Sequence, residues 1–262
     1  MSDALAAPSV APSRSRVAVL GAPIDAIDWP NALARIAQWS GSREPRSVCL
    51  CNAHSVVTAS RDAAFAQAIS NADLALPDGA SVAWAMRRLG QQHQSRISGP
   101  DLMWRCLGDA AAEGRPVYLL GSTAATLQKL QQALIAKWPE LRLAGSESPP
   151  FRALTDADLA ASAARINASG AGLVFVGLGC PKQELWMAAQ RGRVQAAMLG
   201  VGAAFDFHAG NLRCAPMWMR RSGLEWLHRL LSEPRRLAWR YVDTNTAFIV
   251  GVLRQLFRRQ RR

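Results

Sequence analysis

The sequence predicts an α/β fold, a mostly parallel sheet flanked by helices, followed by a C-terminal helical appendage. Three observations carry this expectation. From about residue 17 to 212, short β-branched or Leu-rich runs alternate with longer Ala-rich helical stretches. Repeated strand–helix order of this kind builds a parallel sheet covered by its crossover helices. Glycine and polar residues recur directly after the strand-like runs, where open parallel sheets bind ligands. After about Gly210 the pattern changes, and from Pro216 onward no further strand is expected. The arrangement is Rossmann-like.

Residues 1–16 are rich in Ala, Pro and Ser and read as a disordered leader. The catalytic core is placed at 17–212 and the Arg/Trp-rich appendage at 213–262. Arg16–Leu20 and Ser47–Cys51 are strand-like. Asp28 caps a helix through Trp39, where Pro30 is tolerated because first-turn N–H groups have no helical partner. A helix follows over Asp62–Asn71, a short strand over Asp73–Leu76, and helices over Ala80–Leu89 and Pro100–Glu113. Val117–Leu120 is a strand ending at Gly121, with Ser122 capping a helix to Trp138. Leu141–Ala144, Leu173–Val176 and Ala196–Leu199 are the later strands. Asp156–Ala168 and a segment opened by Pro181 are helices. The tail is helical, carries Trp218, Trp226 and Trp239, and is broken in two by Pro234. Deleting it after about Gly210 is expected to leave a soluble core.

A chain of 262 residues with 50% hydrophobic side chains can bury a sizeable core and is not disordered overall. No apolar run reaches the ~18 residues of a membrane span; the tail's candidate, Ala247–Leu253, is seven residues and contains a glycine. The N-terminal segment has no apolar h-region, so no signal peptide is expected. Five cysteines at irregular spacing (49, 51, 106, 180, 214) and four scattered His argue against a disulfide framework and a structural zinc site. The formal charge is +12, and nine of those charges fall in residues 213–262, where twelve Arg face only Glu225, Glu233 and Asp243. Such a segment calls for a polyanionic partner: nucleic acid, an anionic membrane or a phosphorylated substrate.

The residues after each strand are the candidates for chemistry. Asp78, between Pro77 and Gly79, is placed to act as a general base; the same triplet is also ordinary turn chemistry. Gly121-Ser122-Thr123 opens a helix and resembles a phosphate cradle of backbone N–H groups, though Gly and Ser also serve plain turns and caps. Lys182, Gln183 and Glu184 follow Pro181 in a helix first turn, either as ligands for hydroxyls or a base, or simply as a capped helix start. Asn52 and His54 follow the second strand, and Gly202 and Asp206 the last; single His residues such as His54 and His208 are weak candidates. Dinucleotide and P-loop fingerprints do not occur.

Taken in order, several segments resemble the WecG/TagA/CpsF glycosyltransferase family, glycosyltransferase family 26. They are Asn52-Ala53-His54, Ala72–Gly79, Arg96–Leu102, Leu119–Ser122, Val176–Glu184, Gly200–Asp206, Cys214-Ala215-Pro216 and Gly223–Leu230. The resemblance spans roughly residues 17–250. It implies an inverting, metal-independent transferase that needs no cofactor. Such enzymes move a sugar from a UDP-sugar (N-acetylmannosamine-type, uronic acid or glucose) to a polyprenyl-diphosphate-linked saccharide. The implied setting is cytoplasmic, peripheral on the inner face of the bacterial plasma membrane.

By the same resemblance Asp78 is the general base. Asn52, Arg96, Lys182, Gln183, Glu184 and Gly202 fall in the family's motifs and, with Gly121 and Asp206 from their places after strands, are the expected substrate-binding residues; Leu50 stands where the family has Thr. The appendage, with Arg229, Arg235, Arg236 and Arg240, is expected to close over the site and dock on an anionic membrane. A homo-oligomer is compatible with the sequence, and nucleic acid is not an expected partner. The rival readings are a basic nucleic-acid-binding protein and a binding module that has kept the fold without catalysis.

Overall fold

The computed structural model describes residues 14–216, 218–219 and 222–260, and of 234–238, 240 and 260 the backbone alone. Its centre is a six-stranded sheet, parallel throughout. The strands are β3 (Arg46–Cys51), β4 (Leu74–Pro77), β5 (Val117–Gly121), β6 (Leu143–Glu147), β7 (Leu173–Gly177) and β8 (Ala197–Gly200), in the order β4-β3-β8-β7-β5-β6. Parallel pairing explains the runs of apolar residues, since both faces must be covered. In β3, Val48 and Leu50 face one layer with Ile36, Leu102 and Leu130. Cys49 and Cys51 face the other with Val56, Phe65 and Phe248.

The first layer holds α1 (Trp29–Gly41), α5 (Gly99–Ala112), α6 (Ala124–Lys137) and the short α9 (Ala204–His208). The second holds α2 (Ala53–Arg61), α3 (Ala63–Asn71), α4 (Ala80–Arg88), α7 (Asp156–Ala168) and α8 (Lys182–Ala189). The helix after β5 thus lies on one face and the helix after β7 on the other. Adjacent strands whose connections diverge open a crevice at their carboxyl ends.

Most expected elements lie within a residue or two of their places, and four differ. The first strand is outside the parallel sheet. β1 (Arg16–Val19) pairs antiparallel with β2 (Ala22–Asp25) across a two-residue turn. Leu20 (φ 50°) and Gly21 (φ 89°) both take the left-handed backbone of a type I′ hairpin. Helix α2 is an addition to the expected elements, because its polar residues Ser55, Thr58 and Ser60 blur the apolar period. Ser122 does not cap α6: it sits at φ 59°, and Thr123 takes the cap by accepting from the Thr126 N–H at 3.1 Å. β6 lies two residues later than expected, with a register shift against β5.

Residues 1–13 of the expected leader lie outside the described residues. Arg14 is anchored, its guanidinium paired with the buried Asp25 carboxylate. The tail forms α10 (Glu225–Ser232) and α11 (Pro234–Gln260). None of the α10 side chains is buried. The middle of α11 is a core element: Phe248 and Val252 are buried in the layer that contains α2. Arg61 of α2 also pairs with Asp243 of α11 at 2.6 Å. The deleted chain would therefore lose part of its core. No helix among the described residues is long and apolar enough to cross a membrane.

Candidate active site

All six parallel strands end at one edge of the sheet, and the candidate residues stand along it. Asn52 ends β3 and caps α2, its Oδ1 accepting the Ser55 N–H at 3.1 Å. That leaves its Nδ2 to donate to Asp78 Oδ2 at 3.5 Å. Asp78 is held at the end of β4 by its own N–H, which donates to the Cys51 carbonyl at 2.9 Å. The neighbouring loop continues this ladder, with Ile97 N–H donating to Pro77 O at 2.9 Å. One residue earlier, Arg96 is thereby set beside Asp78. The loop is stiff: Trp29 Nε1 donates to Arg96 O at 3.1 Å, and Gln94 bonds both backbone groups of Ile27 at 3.1 and 2.8 Å.

The tail covers this corner. Gly223, just before α10, approaches so closely that a Cβ there would lie 3.1 Å from the Ala80 Cβ. Glu225, at the start of α10, pairs with Arg96. Arg229, one turn on, lies with its guanidinium 5.7 Å from the Phe207 ring centre. Asp78 feels all of them. Burial pushes its carboxyl up to about 6; Arg96 pulls it down, Glu225 raises it, and Asn52 and Arg229 lower it. The group is thus ionised at neutral pH yet basic enough to accept a proton.

A second cluster lies over β8. Gln183 Nε2 donates to Glu184 Oε1 at 2.9 Å and to Gly200 O at 3.2 Å. The Glu184 carboxyl is buried and pushed up to about 7 by desolvation, opposed by the Gln183 hydrogen bond. Gly200 is glycine for a packing reason: a Cβ there would lie 2.8 Å from Met187 Cε and 3.2 Å from Gln183 Nε2. Gly202 (φ 56°) lies close to the Gln183 amide oxygen.

The third cluster is at the crevice between β5 and β7. Gly121 (φ 120°) stands opposite Gly177 in the ladder, and a Cβ on Gly121 would lie 2.6 Å from the Gly177 carbonyl. Ser122 N–H donates to Gly177 O at 3.1 Å. Two strands meeting here without side chains leave the start of α6 open to a ligand. With strands about 4.8 Å apart, the edge from β4 to β5 spans roughly 19 Å.

Not every candidate joins these clusters. Lys182 is exposed in the first turn of α8. Asp206 accepts from Asn211 Nδ2 at 3.3 Å and shapes the start of the tail. Arg235, Arg236 and Arg240 open α11, and their side chains lie outside the described ones. His208 is a packing residue, stacked on Trp104 at 4.6 Å and bonded to Pro100 O at 3.0 Å. Leu50 is buried against the position a Gly99 Cβ would take, 3.2 Å away, so that position faces the core rather than the cleft.

The sequence holds one D-x-D triplet, Asp156-Ala157-Asp158, a pattern that can bind metal. Here it starts α7: Asp158 completes a capping box with Thr155 and pairs with Arg152 at 2.6 Å. Arg152 and the Thr155 N–H hold its carboxyl well below the usual range. Glu225 joins the candidate site through Arg96; the sequence marks it only within the Gly223–Leu230 segment of the resemblance, because the contact depends on the tail folding back, which no local pattern announces.

The parallel sheet, with glycines at the ends of β5 and β7 and a buried carboxylate under the influence of Arg96 and Arg229 at the same edge, makes the chain an α/β protein with a candidate site along one edge of its sheet. Residues 17–262 match the profile of the Glycosyl transferase WecG/TagA/CpsF family, and the chain belongs to that family. It is a glycosyltransferase of cell-surface polysaccharide synthesis, a class working with a sugar donor and a lipid-linked acceptor.

Proposed function

We propose that the chain is an inverting transferase that uses a UDP-sugar and a polyprenyl-diphosphate-linked acceptor at the inner face of the plasma membrane, without a metal. The observation that carries this reading is Asp78: a carboxylate with a raised proton affinity, facing Arg96 and Arg229 at the sheet edge. In the proposed reaction the acceptor hydroxyl attacks the anomeric carbon as Asp78 takes its proton. The bond to the diphosphate breaks on the opposite face, and UDP leaves with the electron pair. One displacement inverts the configuration.

Charge developing on the leaving diphosphate is met by Arg96 beside Asp78, while the backbone N–H groups at the start of α6, roughly 19 Å along the edge, suit the far end of the nucleotide. Asn52 orients Asp78, while Gln183 and Gly202 line the middle of the edge. The basic tail supplies membrane attraction, at about 1 kcal/mol per basic residue near an anionic surface. A panel of UDP-sugars assayed for transfer and hydrolysis, with and without EDTA, tests the reading. Turnover of one UDP-sugar unaffected by chelation is expected. Activity lost in EDTA and restored by Mg²⁺ or Mn²⁺ would overturn metal independence, and inertness towards every UDP-sugar would overturn the donor class.

A further inference from the structure

A groove of about 1080 Å³ lies between the β1–β2 hairpin, the end of α4 and the last turns of α11. It is set apart from the cleft. Arg16 on its wall donates to the carbonyls of Ser70 and Ala72, each at 2.9 Å, just before β4 begins. Asp78 stands past the other end of that strand. Helix α4 starts at the cleft and meets the groove only at Leu89, about 13 Å further along its axis.

The floor is firmly built. Leu20 packs on Gly251 so closely that a Cβ there would lie 2.8 Å from it. Gln255 donates to Ala18 O at 2.7 Å and accepts from Leu20 N at 3.0 Å, tying the hairpin turn to the helix. The rim is cationic, made by Arg16, Arg254, Arg258 and Arg259, and among the described residues neither Asp nor Glu lines the groove. Arg16 is partly neutralised by Asp25 at 3.5 Å, and Arg259 donates to the Leu89 carbonyl. Arg254 and Arg258 are exposed and have no carboxylate in salt-bridge range among the described residues. A helix C-terminus favours cations, which accounts for Arg258 and Arg259 but not for Arg16 on a separate element or Arg254 a turn earlier.

Guanidiniums gathered without a facing carboxylate repel one another, and their forked donors match phosphate oxygens. We propose that this groove is a second anion site, which takes a phosphate-rich group presented by a lipid headgroup or free in solution. Ile249, Leu253 and Phe257 are exposed on the same stretch of α11 but on another face of the helix, so the site is defined by the groove's guanidiniums and not by that apolar stripe. The proposal stands apart from the donor assignment, because the groove shares no residue with the cleft.

Hydrogen exchange of the full chain tests it at fixed ionic strength. The probes are inorganic diphosphate, vesicles of phosphatidylcholine with phosphatidylglycerol, and vesicles of phosphatidylcholine alone. Slowed exchange is expected in residues 16–25 and 249–259. Arg254→Ala with Arg258→Ala should weaken binding roughly tenfold or more. The charge-matched pair Lys137→Ala and Arg142→Ala, at the opposite edge of the sheet, should leave it unchanged, as should Arg96→Ala. Slowing by diphosphate supports the site with a free phosphate as ligand, and slowing by anionic vesicles alone supports it with a headgroup. Equal slowing by neutral vesicles, equal loss in both charge-matched pairs, or no slowing by any probe overturns it. UDP-dependent slowing at residues 52–54, 78–79 and 121–123, read in the same samples, reports on the donor reading separately.

Discussion

At the scale of single residues, the two raised carboxyls make opposite statements. Asp78 has its proton affinity set by burial, by two guanidiniums and by one carboxylate, and in the proposed mechanism it must be ionised to work. Turnover should therefore climb with pH, level off above about 6, and fall about tenfold per pH unit below that. Asp78→Asn should lower kcat by about 10²-fold or more while UDP binding persists; near-normal turnover in a steady-state assay would refute the role. Glu184 is buried with one oxygen unpartnered, and its proton affinity is raised to about 7 in the fold. The folded state thus holds a proton that the unfolded chain releases near pH 4.5, so this group costs stability as pH rises from about 4.5 to 7. The loss is on the order of 3 kcal/mol. Glu184→Gln keeps the acceptor for Gln183 and should flatten that slope in urea titrations at pH 5 and pH 7.5, with a net gain at the higher pH.

Among the elements, the meeting of β5 and β7 is the most exacting. Gly121→Ala puts a Cβ into the Gly177 backbone at a φ that L residues rarely adopt. It should cost about 2–4 kcal/mol in urea unfolding and weaken donor binding with it. This position was legible in the sequence, because a glycine that closes a strand just before a helix marks a close backbone approach or a positive φ. The strand ends carrying Asn52 and Asp78 were legible too. The hairpin was not, because its turn is Leu20-Gly21 rather than Asn-Gly, and Leu20 is held in left-handed backbone by packing on Gly251 rather than by its own preference. Nor was α2, whose helical period is interrupted by hydroxyl side chains that a buried layer tolerates. The Arg96–Glu225 contact joins residues 129 apart in sequence, and only the folded tail brings them together.

For the molecule as a whole, charge and core share the tail. Trp239, Val242, Ile249, Leu253 and Phe257 are exposed along α11 while Phe248 and Val252 are buried, so one helix serves two surfaces. Binding to vesicles rich in anionic lipid should weaken as salt rises from about 50 to about 500 mM, because the Debye length shortens from about 14 Å to about 4 Å; salt-independent binding in a sedimentation assay would contradict an electrostatic component. Truncation after Gly210 should yield an aggregating chain rather than a free-standing catalytic core, since it uncovers α2; a monomeric, cooperatively unfolding product would disprove that. The pairing of Glu225 with Arg96 also bears on turnover. If the proposed mechanism holds, an incoming diphosphate would have to evict a carboxylate that the enzyme itself supplies, making Glu225 an internal competitor whose return would help expel spent nucleotide. Measured affinity is then an exchange free energy, reduced by the share of molecules in which Arg96 is already taken. Glu225→Gln should hold UDP more tightly by about fivefold or more, release it more slowly in stopped-flow displacement, and move the acid limb of Asp78 to lower pH; unchanged UDP affinity would show that the carboxylate does not compete.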